Sequence, residues 1–187
     1  MKKIVIFASG SGSNAENIIL HFKNKSQGTV VAVLTNNPHA KVLQRAENQN
    51  VETIVFNKTE LSDGTVLQKI NEIQPDLIVL AGFLLMFPAE IIAQYPNQVI
   101  NVHPALLPKY GGKGMYGMNV HKAVLENNEK ETGISIHYVN EHYDEGAIIF
   151  QASTNIEDCL TPEEVAQKVH QLEHKHFPRV IEQLINQ

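Results

Sequence analysis

The sequence predicts an α/β fold: an open, mostly parallel, doubly wound sheet with helices on both faces, then a C-terminal antiparallel strand pair and a helix. Three observations carry this expectation. The stretches Ile4–Ala8, Val30–Leu34 and Asp76–Ala81 are dominated by continuous apolar runs, the pattern of strands buried on both faces. Segments of helical spacing separate them, giving the β-α-β-α-β-α-β order of crossover units. Gly133–Val139 then alternates, and Ala147–Ala152 returns after a polar turn, as in a hairpin with a long connection.

The totals bound the problem. The 187 residues suffice for one sizeable core, and residues 1–187 are expected to form a single domain. With 43% hydrophobic residues the chain is of ordinary globular composition, and a formal net charge of −5 gives no electrostatic reason to expect a nucleic-acid partner. The lone Cys159 excludes an intrachain disulfide and a cysteine-based zinc site. Met1-Lys2-Lys3 leads into an apolar run far too short for a signal peptide or a membrane span, so a cytoplasmic protein without a membrane partner is expected.

Taken in order, the first strand, Ile4–Ala8, runs into Ser9-Gly10-Ser11-Gly12-Ser13-Asn14, after which Ala15–Phe22 reads as a helix. Strand, Gly-Ser loop and helix together make an anion-binding geometry, because glycine lets backbone N–H groups approach a phosphate that the helix dipole also favours. Ala15 stands where the dinucleotide fingerprint needs a third glycine, and no Gly-Lys-Ser/Thr follows, so a phosphomonoester fits better than a dinucleotide or a nucleoside triphosphate. The plainer alternative is a tight βα turn. Val30–Leu34 is the second strand, Ala40–Asn48 a helix, Thr53–Phe56 the third strand, and Thr65–Ile73 a helix stopped before Pro75. Asp76–Ala81 is the fourth strand, and Gly82-Phe83-Leu84-Leu85-Met86-Phe87 places an apolar stretch at its end, either core or a bed for a flat ligand, ahead of a helix Ala89–Ala93.

Val99–His103 is the fifth strand. Alternation sends Asn101 and His103 to one side, and Pro104 ends the ladder, so an amide and an imidazole stand together at a strand's carboxyl end. An amide can donate to an oxyanion and an imidazole can transfer a proton near neutral pH. The competing reading is a strand end whose polar groups satisfy loop backbone. Lys109–Met118 is glycine-rich, with few packing anchors, and reads as a mobile loop over the site. Asn119–Leu125 is helical. In the turn Asn140–Gly146, Asp144 could raise the pKa of a nearby imidazole or cap the turn. Thr161-Pro162-Glu163-Glu164 starts the last helix, which Pro178 is expected to kink or break. His170 and His174 are four apart, but the order is not His-Glu-x-x-His and no third ligand follows, so solvated or ligand-facing roles are preferred to a metal site.

Gly10-Ser11-Gly12-Ser13-Asn14, Leu80-Ala81-Gly82-Phe83, Asn101-Val102-His103-Pro104 with Leu106-Leu107-Pro108, Asp144-x-Gly146 and Gln171-Leu172-Glu173-His174 occur in that order. Over essentially its whole length the chain resembles the phosphoribosylglycinamide formyltransferases, folate-dependent enzymes of purine biosynthesis. The Asn-x-His-Pro…Asp set marks the wider group that uses 10-formyltetrahydrofolate, and the Gly-Ser-Gly-Ser-Asn loop points to the glycinamide ribonucleotide branch. The resemblance implies that Asn101, His103 and Asp144 are catalytic. It implies that Gly12, Ser13, Asn14, His170, Gln171 and Glu173 hold the ribonucleotide. Leu84, Leu85, Met86, Phe87, Asn101, Asn140, Glu141, His142, Tyr143 and Asp144 would flank the folate, with Lys58 the nearest candidate for a basic folate contact. It implies 10-formyltetrahydrofolate as co-substrate, no metal, and a monomer or homodimer. Two departures stand out: Leu85 occupies a position where the family often has arginine, and the loop from Lys109 to Val120 is longer than in many members. The alternatives are a formyltetrahydrofolate hydrolase or another formyltransferase with the same Asn-His-Asp centre, for whose usual additional module 187 residues leave little room, and a non-catalytic binding module.

Overall fold

The computed structural model describes all 187 residues. The chain runs β1 (Lys2–Phe7), α1 (Ser13–Phe22), β2 (Gly28–Thr35), α2 (Lys41–Glu47), β3 (Glu52–Val55), α3 (Lys58–Ser62), α4 (Thr65–Ile73), β4 (Leu77–Leu80), α5 (Ala89–Gln94), β5 (Val99–His103), α6 (Met118–Glu126), β6 (Glu131–Tyr138), β7 (Ile148–Asn155) and α7 (Pro162–Ile185). All seven strands join one sheet in the order β3-β2-β1-β4-β5-β6-β7. The first five strands pair in parallel, and β6 and β7 add antiparallel ladders, as the sequence pattern predicts. No helix is long and apolar enough to cross a membrane.

The central strands read as unbroken apolar runs because both of their faces are covered. Ile4 and Ile6 of β1 and Leu77 and Val79 of β4 point into one cluster with α1, α2, α6 and α7. Val5, Phe7, Ile78 and Leu80 point into another with α3, α4 and α5. Phe7 is fully buried at the centre of an aromatic group, with Phe56, Phe83 and Phe87 all edge-on to it. Chain order reverses between β1 and β4, which opens a crevice beyond their carboxyl ends, the usual ligand site of such sheets.

Two details depart from the sequence expectation. Helix α3 was not anticipated, although Asn57 and Glu60 form a capping box around its start and that spacing was its signal. Helix α7 neither breaks nor ends at Pro178: it is continuous over 24 residues. A proline at this position removes the N–H that would bond the carbonyl of His174. That carbonyl instead accepts from the Asn17 side chain of α1, Nδ2 to O 2.8 Å, so the carbonyl is satisfied.

This account predicts that Asn17→Ala lowers stability by about 1–2 kcal/mol, the usual cost of orphaning a half-buried carbonyl. In a Pro178→Ala background a helical N–H becomes available to the same carbonyl, and the Asn17→Ala penalty shrinks. Urea unfolding of the four members of this cycle measures it; an unchanged penalty would place the helix's continuity elsewhere.

Candidate active site

The sheet places the functional side chains at one end. β5 stops at His103 before Pro104, and its register with β6 sets Asn101 opposite His137. Asn101 Nδ2 lies 3.1 Å from His137 Nε2, while His137 Nδ1 lies 2.8 Å from the Tyr138 carbonyl. The carbonyl requires a proton on Nδ1, which leaves Nε2 to accept from Asn101 and leaves the second amide N–H of Asn101 free. His103 Nε2 donates to the carbonyl of Tyr110 at 2.7 Å, and its Nδ1 stands 3.5 Å from Asp144 Oδ2. The other Asp144 oxygen is 3.6 Å from His137 Nε2, and Oδ2 also accepts from the Gly112 backbone N–H at 3.0 Å. Asp144 itself holds a left-handed backbone conformation, φ 57°, which aspartate tolerates better than most residues.

Burial governs the imidazole here. It pushes the His103 pKa below the ordinary histidine value, and the upward pulls of Asp144 and of the Tyr110 carbonyl do not overcome it. Asp144 pulls the His103 pKa upward, the direction expected of it, but desolvation of a residue only 3% exposed is larger and sets the net direction. Asp144 shows the opposite balance. Burial opposes its charge, yet the neighbouring His137 and His103 imidazoles and the Gly112 N–H hold it below the usual carboxylate range.

Above these residues opens a cavity of about 680 Å³. The Gly10–Asn14 loop forms one wall, Leu84–Phe87 another, and the Lys113–Met118 segment faces them. Gly12 is the N-cap of α1 at φ 73°, and a Cβ there would lie 2.4 Å from Val42 Cβ. Glycine at this position is thus required by the packing of α2 as well as by any anion. Asn14 Nδ2 donates to Glu173 Oε2 at 2.7 Å, and His170 Nδ1 is 3.1 Å from the same oxygen, so the start of α1 is joined to the cavity face of α7. The Oδ1 of Asn14 is buried without a partner.

Most of the predicted residues meet here: Gly12, Ser13, Asn14, Leu84, Leu85, Met86, Phe87, Asn101, His103, Asn140, His142, Tyr143, Asp144, His170 and Glu173 all line the cavity. Three do not. Gln171 lies two residues from Glu173, on the far side of α7, and is exposed. Lys58 begins α3 next to β3, the sheet's edge strand, and points to solvent. Glu141 sits at the tip of a turn closed by the Asn140 side chain on the His142 N–H, and is exposed. The glycine loop also has more anchorage than its composition suggests, because Tyr110 and Met115 pack on the larger core cluster.

Sequence reasoning missed two imidazoles and a lysine in the lining, His137, His121 and Lys113. Alternation along β6 was the available signal for His137. His121 is 6% exposed on α6, its Nδ1 has no partner, and burial lowers its pKa. Ser135, also on β6, donates to the Ala105 carbonyl and accepts from Leu107 N–H, fixing the turn that follows His103.

A doubly wound sheet with an amide, two imidazoles and a carboxylate at its switch-point end, beside a Gly-Ser loop, defines a family. Residues 2–181 match the model of the formyl transferases, and the chain belongs to that family. It is 36% identical to phosphoribosylglycinamide formyltransferase of Bacillus subtilis, covering 99% of this chain and 95% of that one. It is 37% identical to the chloroplastic phosphoribosylglycinamide formyltransferase of Arabidopsis thaliana over 96% of its length. The chain spans only 64% of that plant relative, and 61% of the one from Vigna unguiculata. Among solved structures, it superposes on phosphoribosylglycinamide formyltransferase of Anaplasma phagocytophilum with a TM-score of 0.90 at 28% identity, covering 99% and 87% of the two chains. For glycinamide ribonucleotide transformylase 1 of Geobacillus kaustophilus the TM-score is 0.89 at 30% identity, with 99% of each chain covered.

The electrostatics predict a titration. In Asp144→Asn the upward pull on His103 is lost while burial remains, so His103 titrates at lower pH than in the wild type; coincident NMR titration curves would remove the carboxylate from the argument. Burial likewise lowers His121 and His174. The unfolded chain therefore takes up protons that the folded one refuses as pH falls below about 6.5, so Tm should drop between about pH 7 and 5.

Proposed function

We propose that residues 1–187 act as one formyltransferase unit that moves the formyl group of 10-formyltetrahydrofolate to the glycinamide amine of 5'-phosphoribosylglycinamide. The observation that carries this reading is the Asp144 carboxylate set between His103 and His137, with the Asn101 amide on the same cavity wall and an anion-suited Gly-Ser loop opposite. The resemblance of motif order supports it, as do the printed names of the relatives.

In this reading the substrate amine is the nucleophile, and no covalent enzyme intermediate is needed. Its nitrogen attacks the formyl carbon, and the carbonyl oxygen becomes an oxyanion that the free N–H of Asn101 and the imidazole of His103 stabilise. Collapse breaks the bond from the formyl carbon to N10 of the folate. N10 takes a proton from His103, and the amine gives up its surplus proton through water to the Asp144–His103 pair. The products are the N-formyl ribonucleotide and tetrahydrofolate. Both ring nitrogens of His103 already have partners, so proton delivery requires an exchange. The Tyr110 carbonyl, at the start of the glycine loop, is the partner that can yield. The apolar Leu84–Phe87 wall suits the flat pterin, and Gly12–Asn14 with His170 and Glu173 face the sugar phosphate.

Folate absorbance, followed with and without the ribonucleotide, tests the reading. Turnover should require the amine; tetrahydrofolate released without it identifies a hydrolase, and bound ligand without turnover a binding module. Asn101→Ala and Asp144→Asn should each lower kcat by about 10²–10⁴-fold with far smaller changes in either KM.

A further inference from the structure

The function proposed above brings a phosphate dianion into the cavity, and this inference rests on that reading. The lining already contains two carboxylates, Asp144 and Glu173, against a single lysine, Lys113, and no arginine. Bringing a dianion out of water beside two carboxylates is unfavourable without a compensating cation. The start of α1 offers roughly half a positive charge through its dipole. Arg45, the other cation at the Gly-Ser loop, is committed: its Nε donates to the Ser11 carbonyl at 2.9 Å and its guanidinium pairs with Glu16. Lys113 enters no ion pair.

The loop that carries Lys113 leads toward the α1 and α7 side of the cavity. It descends into α6, whose Val120 and Val124 pack in the same cluster as α1 and α7. On α6, His121 feels the charge of Glu173, and Glu173 is bonded to Asn14 at the Gly-Ser loop. The Leu84–Phe87 wall turns toward the other face, where Phe87 joins the opposite cluster. Gly112 and Gly114 flank Lys113 at φ 93° and 89° with open space around both, so the backbone can pivot on either side of the lysine. Tyr110 and Met115 stay seated in the core beyond those pivots.

We propose that Lys113 is the binding residue that pairs with the phosphate of the sugar-phosphate substrate, opposite the Gly10–Asn14 loop, and so sets the preference for phosphorylated over unphosphorylated amine acceptors.

The test compares wild type with Lys113→Gln, Lys113→Arg and, as a control at the exposed start of α2, Lys41→Gln. One readout is KM for the ribonucleotide and for the folate donor in formyl transfer. The other is Kd for ribose 5-phosphate by calorimetry, which needs no turnover. Lys113→Gln should raise the ribonucleotide KM and the ribose 5-phosphate Kd by about 10- to 100-fold, the range of a charge-assisted hydrogen bond. Donor KM and kcat at saturation should stay near wild type. Lys113→Arg should recover most of the loss, and Lys41→Gln should behave as wild type. A penalty that falls on the donor would assign Lys113 to folate carboxylates and overturn the proposal, as would Lys113→Gln with wild-type constants. Lys113-dependent binding of ribose 5-phosphate by a wild-type protein that transfers no formyl group would refute the function proposed above and uphold the phosphate contact.

Discussion

The carboxylate of Asp144 joins three separate segments of chain. It faces His103 at the end of β5, His137 on β6 and the backbone N–H of Gly112 in the glycine loop. A buried carboxylate without such partners would protonate, because desolvation alone raises its pKa. With them it stays charged, and its charge decides what the neighbouring imidazole can do. His103 is buried enough to prefer neutrality, and Asp144 limits that preference. Burial thus draws the imidazole toward the neutral form while the carboxylate draws it toward the protonated one. In the function proposed above, such opposition suits a group that must both accept and give a proton in one cycle.

The sheet order explains why these groups and the Gly-Ser loop meet. β1 and β4 are neighbours from which the chain departs in opposite directions, so the loops after them diverge and leave a crevice. The loop after β5 and the Asn140–Gly146 turn after β6 then wall it on the side away from β2. Because β6 runs antiparallel to β5, Asn101 and His137 become cross-strand partners although 36 residues separate them. Ser135, two residues earlier on β6, holds the turn beyond His103 by the same antiparallel geometry.

How much of this was legible in the sequence follows from the kind of information each feature needs. The parallel core declared itself through apolar runs such as Ile4–Phe7, because burial on both faces removes alternation. Asn101 and His103 could be set on one side from their spacing alone. Their partner His137 required the β5–β6 register, which no local pattern supplies. The family resemblance brought Asp144 to the site, but the direction of the His103 pKa depended on burial, which a motif does not record. The predicted residues that lie outside the cavity lining do so for similar reasons. Gln171 adjoins lining residues in sequence but lies across the helix from Glu173, and Lys58 follows β3, the strand at the far edge of the sheet. Local sequence predicts a kink or break at Pro178 because the side chain that satisfies the lost hydrogen bond belongs to α1, more than 150 residues away in the chain.

That last bond bears on the mechanics of the site. Asn14 and Asn17, in the first two turns of α1, reach Glu173 and the His174 carbonyl on α7. Farther along, His21 on α1 and Lys25 just beyond it both pair with Glu182. The helix that begins at the Gly-Ser loop and the helix that carries Glu173 and His170 are thus clamped along their shared length. The proline at 178 makes the clamp stronger, since it leaves a carbonyl that only the neighbouring helix can satisfy. These two walls of the cavity are tied together side chain by side chain, while the segment between Tyr110 and Met115 has between its ends one side-chain anchor, the Gly112 N–H on Asp144. Precision of substrate placement then rests on the clamped helices. The adjustments needed to admit a ligand, and to free a ring nitrogen of His103, fall to the glycine loop.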